Sequence, residues 1–290
     1  MSTIAYIDAD IICHRAIHGA TTEIDEGEFL VSHRAIKDAI IEQVANWAAP
    51  LKPGRIVPVL SDYSHNWRYA LNGPYKLQRS GGGSETKSDL MKFARAFVRE
   101  HWSHTMQEKG LEADDLIGIM ITNPDHANRS VGVSIDKDFL TLPAKVFNPS
   151  HGGKRPIKIN KAVADYNWMT QAITGDTVDG YKGIPGVGPK GAEKILDGTI
   201  GDMWAMWERV VAAYAEAQLP VEEALRNARY ARILRYPDWR ATGEIRLFTG
   251  DHRKSEWLGF NEETMRRPTP EEAAERLANE PKPKRRRKVK

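Results

Sequence analysis

Acidic side chains follow apolar runs at four places in the chain. These side chains are Asp8 with Asp10, Asp62, Glu112 with Asp114 and Asp115, and Asp136 with Asp138. A single acid after an apolar run is typical of a helix cap or a turn. Four such groups at the ends of parallel strands share one edge of a sheet, so their carboxylates would meet in one cleft. Because like charges repel there, the pattern predicts bound cations.

The candidate ligands are all oxygen atoms, which indicates the kind of metal. Carboxylates and waters suit hard cations such as Mg²⁺ or Mn²⁺, and these cations suit phosphate substrates. The nine histidines include no HExxH pair, and the sequence has no GKS or GKT phosphate loop. Zinc hydrolases and P-loop NTPases are therefore disfavoured. Two cations about 4 Å apart would activate a water beside a phosphodiester and stabilise the leaving oxygen.

The first half of the chain alternates between apolar runs and amphipathic segments. Strands are predicted at 3–7, 56–60 and 130–135, and helices at 33–48, 88–99 and 113–121. Pro58 places the second strand at an edge or in an irregular position, because proline removes a ladder donor. This alternation predicts an α/β fold with a mostly parallel central sheet and helices on both faces.

The pattern turns helical after residue 160, where we place a domain boundary. Helices are predicted at 161–174, 189–197, 202–217 and 220–234, and a late strand at 244–248. Beyond about residue 250 the sequence is polar and contains prolines, which predicts a poorly ordered segment.

A glycine-rich stretch, GDTVDGYKGIPGVGPKG at 175–191, lies between two of these helices. Its glycines allow tight turns and a close approach to another molecule, and its lysines add positive charge. These residues are Gly183, Gly186, Gly188, Lys182, Lys190 and Lys194. The stretch predicts a hairpin that holds a nucleic-acid backbone without reading bases, and the alternative is an ordinary helix connection. Asp176 and Asp179, just before it, are further candidates for the metal cleft.

The charge is unevenly distributed. The formal charge is +3, and residues 281–290 carry seven basic side chains and no acid, which leaves +3 − 7 = −4 for the rest. Such a tail suits a polyanionic partner, and the alternatives are a solubilising end, a localisation signal or an added tag. The single Cys13 excludes an internal disulfide. The sequence has no signal peptide or membrane span, so a cytoplasmic location is expected.

The order of these motifs resembles the flap endonuclease and 5′ to 3′ exonuclease family, and within it the exonucleases of T7-like bacteriophages. The matching residues are Asp8, Asp62, Tyr75-Lys76, Glu112-x-Asp114-Asp115, Asp136-x-Asp138, Asp176-x-x-Asp179 and GIPGVGPKGA. The resemblance covers about residues 3–235. It departs from the family at Ala9, where a glycine is usual, and at the SGGGS run, where relatives are more basic.

The resemblance implies a PIN-like nuclease core that binds two Mg²⁺ or Mn²⁺ ions. One metal would be served by Asp8, Asp62, Glu112 and Asp114, and the other by Asp115, Asp136, Asp138, Asp176 and Asp179. Lys76 and Arg79 would contact the scissile phosphate, and Arg68 would contact a phosphate nearby. A K⁺ ion at the hairpin carbonyls would help to hold duplex DNA.

These expectations define three regions. Residues 1–160 are expected to form the nuclease core, with an arch at about 72–100. Residues 161–250 are expected to form a helix-hairpin-helix DNA-binding domain, and residues 251–290 a basic tail. The expected activity is Mg²⁺-dependent cleavage of DNA, or of RNA primers on DNA, near 5′ ends. Expected partners are DNA with 5′ ends or flaps and RNA–DNA hybrids, and no membrane. The alternatives are a non-catalytic DNA-binding protein and a related single-strand RNase that would lack the hairpin.

Overall fold

A computed structural model describes residues 2–25, 28–79, 85–151 and 155–280. Its contacts divide the chain into two compact units. The first unit consists of Met1–Tyr63, Gly83–Ile159 and Leu234–Pro237, and the second of Ser64–Gly82, Asn160–Ile233 and Asp238–Lys290. Among the described residues, none of the helices is both long and apolar enough to cross a bilayer.

The first unit combines a central sheet with four helices. Its elements are β1 (Ile4–Asp8), α1 (Ala9–Gly19), β2 (Thr21–Asp25), β3 (Glu28–Val31), α2 (His33–Ala48), β4 (Arg55–Val59), α3 (Glu85–His101), α4 (Ala113–Thr122), β5 (Ser130–Val133), β6 (Lys145–Phe147) and β7 (Ile157–Lys158). The helix predicted at 33–48 is confirmed, because the Ser32 hydroxyl caps its start and Pro50 follows its end. The predicted strands at 3–7, 56–60 and 130–135 correspond to β1, β4 and β5.

The five-stranded sheet has the order β4-β1-β5-β6-β7. The first four strands run parallel, and only β7 pairs antiparallel. Pro58 lies in β4, at the edge of this sheet, where the missing N–H interrupts no ladder between two strands. The mostly parallel sheet expected from the alternating pattern is therefore confirmed.

Helices cover both faces of this sheet. Val131 and Val133 of β5 belong to a core that includes buried residues of α1, α2 and α3. Gly132 faces the opposite side, because neighbouring strand residues point to opposite faces, and a Cβ there would lie 2.8 Å from Ile121 and 3.1 Å from Ile117 of α4. One face thus carries three helices and the other carries α4.

The second unit is mainly helical. Its elements are α5 (Lys161–Thr174), β8 (Gly175–Asp176), β9 (Tyr181–Lys182), α6 (Pro189–Ile195), α7 (Met203–Glu216), α8 (Val221–Tyr230), β10 (Ile245–Leu247), β11 (Glu256–Leu258), α9 (Glu262–Met265) and α10 (Pro270–Asn279). The four predicted helices correspond to α5–α8, and the late strand corresponds to β10. Helix α5 is tied to α7 and α8 by hydrogen bonds of 2.7 Å from Tyr214 Oη to the Ala172 carbonyl and from Trp168 Nε1 to the Ala228 carbonyl.

Two sequence-based expectations need correction. The segment beyond residue 250 was expected to be poorly ordered, but residues 256–279 include β11, α9 and α10; a capping box between Thr269 and Glu272 starts α10. Glu112 was expected at a strand end, but it is the N-cap of α4 after a loop. The SGGGS run at 80–84 and the basic tail at 281–290 lie outside the described residues.

Candidate metal centre

Three acidic side chains follow the ends of adjacent parallel strands in the first unit. Asp8 is the last residue of β1, Asp62 lies three residues after β4, and Asp136 lies three residues after β5. Strands β4, β1 and β5 are neighbours and run in the same direction. The carboxyl ends of these strands therefore bring the three acids to one edge of the sheet, as the sequence predicts.

Asp8 is buried within this edge and is held in one orientation. Its Oδ1 accepts a hydrogen bond from the Ile11 amide at 3.3 Å, and its Oδ2 accepts one from the Ser134 hydroxyl at 3.2 Å. Burial raises the pKa of the Asp8 carboxyl from 3.8 to about 7, with further upward contributions from the charges of Asp10 and Asp136. An anion in such surroundings is stabilised by a nearby cation.

A second group of carboxylates lies at the start of α4. Glu112, Asp114 and Asp115 each offer an oxygen within 4.8 Å of the others, a spacing that suits a metal ion. Asp115 is fully buried and accepts hydrogen bonds from the amides of Leu234 at 3.0 Å and of Glu112 at 3.5 Å. These bonds orient Asp115 toward the backbone, whereas Glu112 and Asp114 are partly exposed.

Asp62 is joined to the loop that precedes α4. Its amide donates to the Leu111 carbonyl at 2.8 Å, and its Oδ2 accepts from the Gly110 amide at 3.0 Å. The neighbouring Ser61 hydroxyl accepts from the amide of Ala113 at 2.9 Å. The acid after β4 and the acids of α4 therefore belong to one hydrogen-bonded part of the unit.

Asp136 and Asp138 form a turn after β5. Asp136 Oδ1 accepts from the Asp138 amide at 2.9 Å and caps a short 3-10 helix at Lys137–Thr141. The Asp136 amide donates to the hydroxyl of buried Ser134 at 3.1 Å, and Ser134 in turn donates to Asp8. Sequence reasoning missed Ser134, since a serine inside an apolar run carries no signal by itself.

Asp10 belongs to the first of the four acidic groups that the sequence predicts in one cleft, and the structure shows a different role for it. Its Oδ2 accepts from the Ser61 amide at 2.8 Å, and its Oδ1 accepts from Arg95 of α3. Arg95 is 5% exposed and lies over the Tyr63 ring. Sequence reasoning missed Arg95, although a cation between the buried Met91 and Val98 of α3 was a signal that it has a buried partner.

Asp176, Asp179 and Lys76 lie together in the second unit. Asp176 is buried, and its Oδ1 accepts from the amides of Val178 at 2.8 Å and Asp179 at 3.2 Å. The Asp179 carbonyl accepts from the Lys76 amide at 2.7 Å, and Lys76 Nζ lies 3.5 Å from Asp179 Oδ1. Lys76 has a positive φ of 52°, and the preceding Tyr75 is buried and stacked on Tyr230.

The structure gives Arg68 a different role from the expected phosphate contact. Arg68 is 1% exposed, and its guanidinium donates to the carbonyls of Tyr230 at 3.2 Å and Arg232 at 2.6 Å. These carbonyls lie at and beyond the end of α8, where a cation is favoured by the helix dipole. Arg68 therefore anchors the end of a helix instead of facing solvent. The side chain of Arg79 lies outside the described part of the chain.

The glycine hairpin has the turns that its sequence predicts. A Cβ at Gly183 would lie 2.1 Å from the Ile173 carbonyl oxygen, so only glycine fits there. Gly186 has a φ of 77°, and Gly188 is the N-cap of α6 with open space around it. The side chain of buried Asn227 donates to the Lys182 carbonyl at 2.6 Å and holds the hairpin on α8. Three lysines of the hairpin region are exposed: Lys182, Lys190 and Lys194.

The residues of the first unit fit a divalent cation. Their donor atoms are carboxylate oxygens, three of them close enough together to share an ion. Burial raises the pKa of the Asp8 carboxyl, and a nearby cation would favour its charged form. The candidate ligands of this unit are Asp8, Asp62, Glu112, Asp114, Asp115, Asp136 and Asp138. Asp176 and Asp179, in the second unit, stay predicted ligands.

The chain is similar in sequence to several known nucleases. No protein-family model matches the chain. The exodeoxyribonuclease of Enterobacteria phage T3 is 25% identical over 282 residues, which cover 85% of this chain and 92% of the phage enzyme. The exonuclease of Escherichia phage T7 is 24% identical, with 81% and 89% covered. The flap endonuclease Xni of Aeromonas hydrophila is 26% identical, with 76% and 86% covered.

Solved structures share the fold. A bacteriophage T5 5′-exonuclease with bound zinc ions superposes with a TM-score of 0.57 at 15% identity, covering 79% of this chain and 89% of that one. A T5 flap endonuclease in complex with DNA and metal ions gives a TM-score of 0.57 at 16% identity, with 78% and 87% covered. The acidic motifs, the fold and these relatives agree, and the chain is similar to 5′–3′ exonucleases and flap endonucleases.

Proposed function

We propose that the protein is a divalent-metal-dependent 5′ nuclease that hydrolyses phosphodiester bonds of DNA near 5′ ends. The observation that carries this proposal is the gathering of Asp8, Asp62 and Asp136 at one edge of a parallel sheet. The relatives are named exodeoxyribonuclease, exonuclease and flap endonuclease, and the solved T5 relatives hold metal ions or DNA. The products are expected to be 5′-phosphate and 3′-hydroxyl ends.

The metal is proposed to be Mg²⁺ or Mn²⁺, with two ions at each site. Oxygen-only ligands support this choice, because hard cations prefer carboxylates and waters. Divalent cations held there would lower the pKa of an attacking water and stabilise charge on the leaving oxygen. The proposed division assigns Asp8, Asp62, Glu112 and Asp114 to one ion. The other ion is assigned Asp115, Asp136, Asp138, Asp176 and Asp179.

The protein's own groups orient these ligands and stabilise the phosphate. The Ser134 hydroxyl and the Ile11 amide fix both oxygens of Asp8, so its carboxylate needs little reorientation when a cation binds. The Lys76 ammonium and the Arg79 guanidinium, three residues later in the chain, are proposed to stabilise charge that develops on the scissile phosphate. Lys76 has a positive φ, and its amide donates a hydrogen bond to the Asp179 carbonyl; both features hold its backbone in one conformation.

The second unit is proposed to bind duplex DNA through the glycine hairpin. Its exposed lysines can neutralise phosphates, and its glycine turns leave the backbone open to a ligand. A K⁺ ion at the hairpin carbonyls and RNA primers on DNA as additional substrates are parts of the same proposal. Primer removal or degradation of duplex DNA from 5′ ends would be the biological task.

One experiment separates this activity from its alternatives. A 5′-labelled flap duplex is incubated with the protein and Mg²⁺, then with EDTA, beside a single-stranded RNA of equal length. The proposal expects short labelled products from the flap duplex with Mg²⁺ and none with EDTA. Binding without cleavage would support a non-catalytic DNA-binding protein, and preferential cleavage of the RNA would support a single-strand RNase.

A further inference from the structure

The Ser61 residue, next to Asp62, is held by hydrogen bonds at each of its polar groups. Its amide donates to Asp10 Oδ2 at 2.8 Å, and its hydroxyl accepts from the Ala113 amide at 2.9 Å. Its carbonyl accepts from the Arg95 guanidinium and from Gln107 Nε2, the latter at 3.1 Å. Asp10 and Arg95 also form a hydrogen bond with each other, so a closed ring of contacts joins α1, α3 and the segment that follows β4.

The two charged members of this ring are enclosed by protein. The side chain of Arg95 is 6% exposed and that of Asp10 is 13% exposed, and Arg95 covers the Tyr63 ring with its guanidinium carbon 4.0 Å from the ring centroid. A buried ion pair stabilises a fold only weakly against an apolar pair, but it fixes one geometry. Removal of a single partner leaves the other charge buried without compensation.

The ring lies at the point where the candidate metal ligands meet. Asp62 follows Ser61 in the chain, and the amide bonded to the Ser61 hydroxyl belongs to Ala113, between Glu112 and Asp114. We propose that Asp10 and Arg95 are positioning residues, which hold the Ser61 backbone so that Asp62, Glu112 and Asp114 are arranged to bind a divalent metal. This inference rests on the metal centre of the proposed function.

A role of Arg95 through its charge alone and a role in positioning predict opposite changes in metal affinity when Arg95 is replaced. The removal of a cation near several carboxylates increases the negative potential, so metal binding would become tighter if Arg95 acted only through its charge. If Arg95 positions the ligands, its removal weakens metal binding, as with other groups that orient metal ligands. The direction of the change therefore distinguishes the two roles.

The experiment measures the Mn²⁺ affinity of the full-length protein without DNA, by electron paramagnetic resonance or calorimetry. Thermal unfolding of each variant is recorded as well. Arg95→Met is expected to weaken Mn²⁺ binding by about 10- to 100-fold. Arg95→Lys keeps the charge but not the planar fork that reaches both Asp10 and the Ser61 carbonyl, so an intermediate loss is expected. Lys92→Met, on the exposed side of α3, removes one positive charge outside the ring and should leave the affinity unchanged or slightly tighter.

The double variant Asp10→Asn with Arg95→Met removes one charge of each sign, so its net charge equals that of the wild type. Positioning predicts binding at least tenfold weaker than wild type in this variant, whereas charge alone predicts nearly normal binding. Should Arg95→Met fail to fold, Arg95→Lys still separates the two roles, because charge alone predicts unchanged Mn²⁺ binding in this variant whereas positioning predicts weaker binding.

Normal or tighter Mn²⁺ binding in a folded Arg95 variant would overturn the positioning role, even if that variant had a lower unfolding temperature. Absence of Mn²⁺ binding in the wild-type protein would instead overturn the metal centre. If the wild type binds Mn²⁺ and cleaves DNA, and the Arg95 variants bind Mn²⁺ normally, the proposed nuclease function stands and only the positioning role is refuted.

Discussion

The Ser134 hydroxyl donates to Asp8 Oδ2 at 3.2 Å and accepts from the Asp136 amide at 3.1 Å. One buried serine thus connects the acid at the end of β1 with the acidic turn after β5. Because Asp8 and Ser134 are 6% and 2% exposed, water contributes little to solvating the Asp8 charge. The charged form of Asp8 is therefore unfavourable in the buried site by itself, and a bound cation would stabilise it.

Stability without metal should fall as the pH rises through the range set by Asp8. Below about pH 4 the carboxyl is protonated in both folded and unfolded states; between pH 4 and 7 the unfolded chain loses the proton first, because burial raises the folded pKa to about 7. The loss is on the order of 4 kcal/mol when complete. In EDTA at pH 8, Asp8→Asn should therefore be more stable than the wild type toward urea.

The comparison of Asp8→Asn with the wild type between pH 4 and 8 separates the contribution of Asp8 to stability from that of the other acids. Asp125→Asn, on an exposed turn, is the control for the exchange of an Asp for an Asn. Mg²⁺ should raise wild-type stability at pH 8 and should stabilise Asp8→Asn less. Parallel urea profiles of Asp8→Asn and the wild type across this pH range would contradict the buried, anionic role of Asp8.

Replacement of the candidate ligands should remove cleavage while DNA binding persists. Asp136→Asn and Asp114→Asn each eliminate a negative charge, so metal is lost but the repulsion of phosphate also decreases. We expect cleavage at ordinary Mg²⁺ to fall by about 10²-fold or more, with DNA affinity equal to or tighter than wild type. Both quantities are measured on one labelled flap duplex, with Asp125→Asn as control. Near-normal turnover in either variant would refute the ligand assignment.

Arg68→Met should affect stability and not DNA binding. The change removes the donors to the Tyr230 and Arg232 carbonyls in a buried site, and each such loss costs about 1–3 kcal/mol. Urea unfolding measures this loss, and Arg34→Met, on an exposed side chain of α2, serves as the control. Unchanged stability combined with a flatter salt dependence of DNA binding would restore Arg68 as a phosphate contact.

Lys76→Ala should slow the chemical step more than it weakens binding. A cation that stabilises charge developing on the phosphate commonly contributes about 10²-fold or more in rate, whereas ground-state affinity is spread over several lysines. Single-turnover measurements at saturating DNA test this, because slow product release cannot mask the chemistry. Lys76→Arg should recover only part of the rate. If Lys76→Ala strongly weakens DNA binding but leaves the single-turnover rate at saturating DNA unchanged, Lys76 contributes to binding and not to the chemical step.

Lys190→Ala combined with Lys194→Ala should weaken duplex binding at any sequence. Both side chains are exposed, and the removal of each cation that neutralises a phosphate should reduce the slope of log affinity against log salt by about 0.9. Cleavage at saturating DNA should change little. Arg34→Ala with Lys158→Ala removes two exposed cations from the other unit as a matched control. If the salt dependence of DNA binding is unchanged in the hairpin variant, the hairpin is only a connection between helices.

Local sequence patterns predicted the elements of this fold well. Helices α2 and α5 begin and end at the residues that their caps and periodicity indicated, because Ser32 and Asn160 each accept an N-terminal amide. The segment 256–279 was missed, since its short elements gain stability from packing and a capping box instead of a long apolar stripe. Examples are the buried Met265 and Ala273.

The sequence by itself determined which acids follow which strands, and the parallel direction of those strands then brought Asp8, Asp62 and Asp136 to one edge. Only the tertiary structure decided what each polar side chain contacts. Arg68 and Arg95 are both basic residues in the region between Asp62 and Glu112, yet each is buried against carbonyls or a carboxylate that lies far away in sequence. Long side chains reach partners that no local periodicity encodes, so an arginine's role as anchor, positioning group or phosphate contact depends on burial and distance.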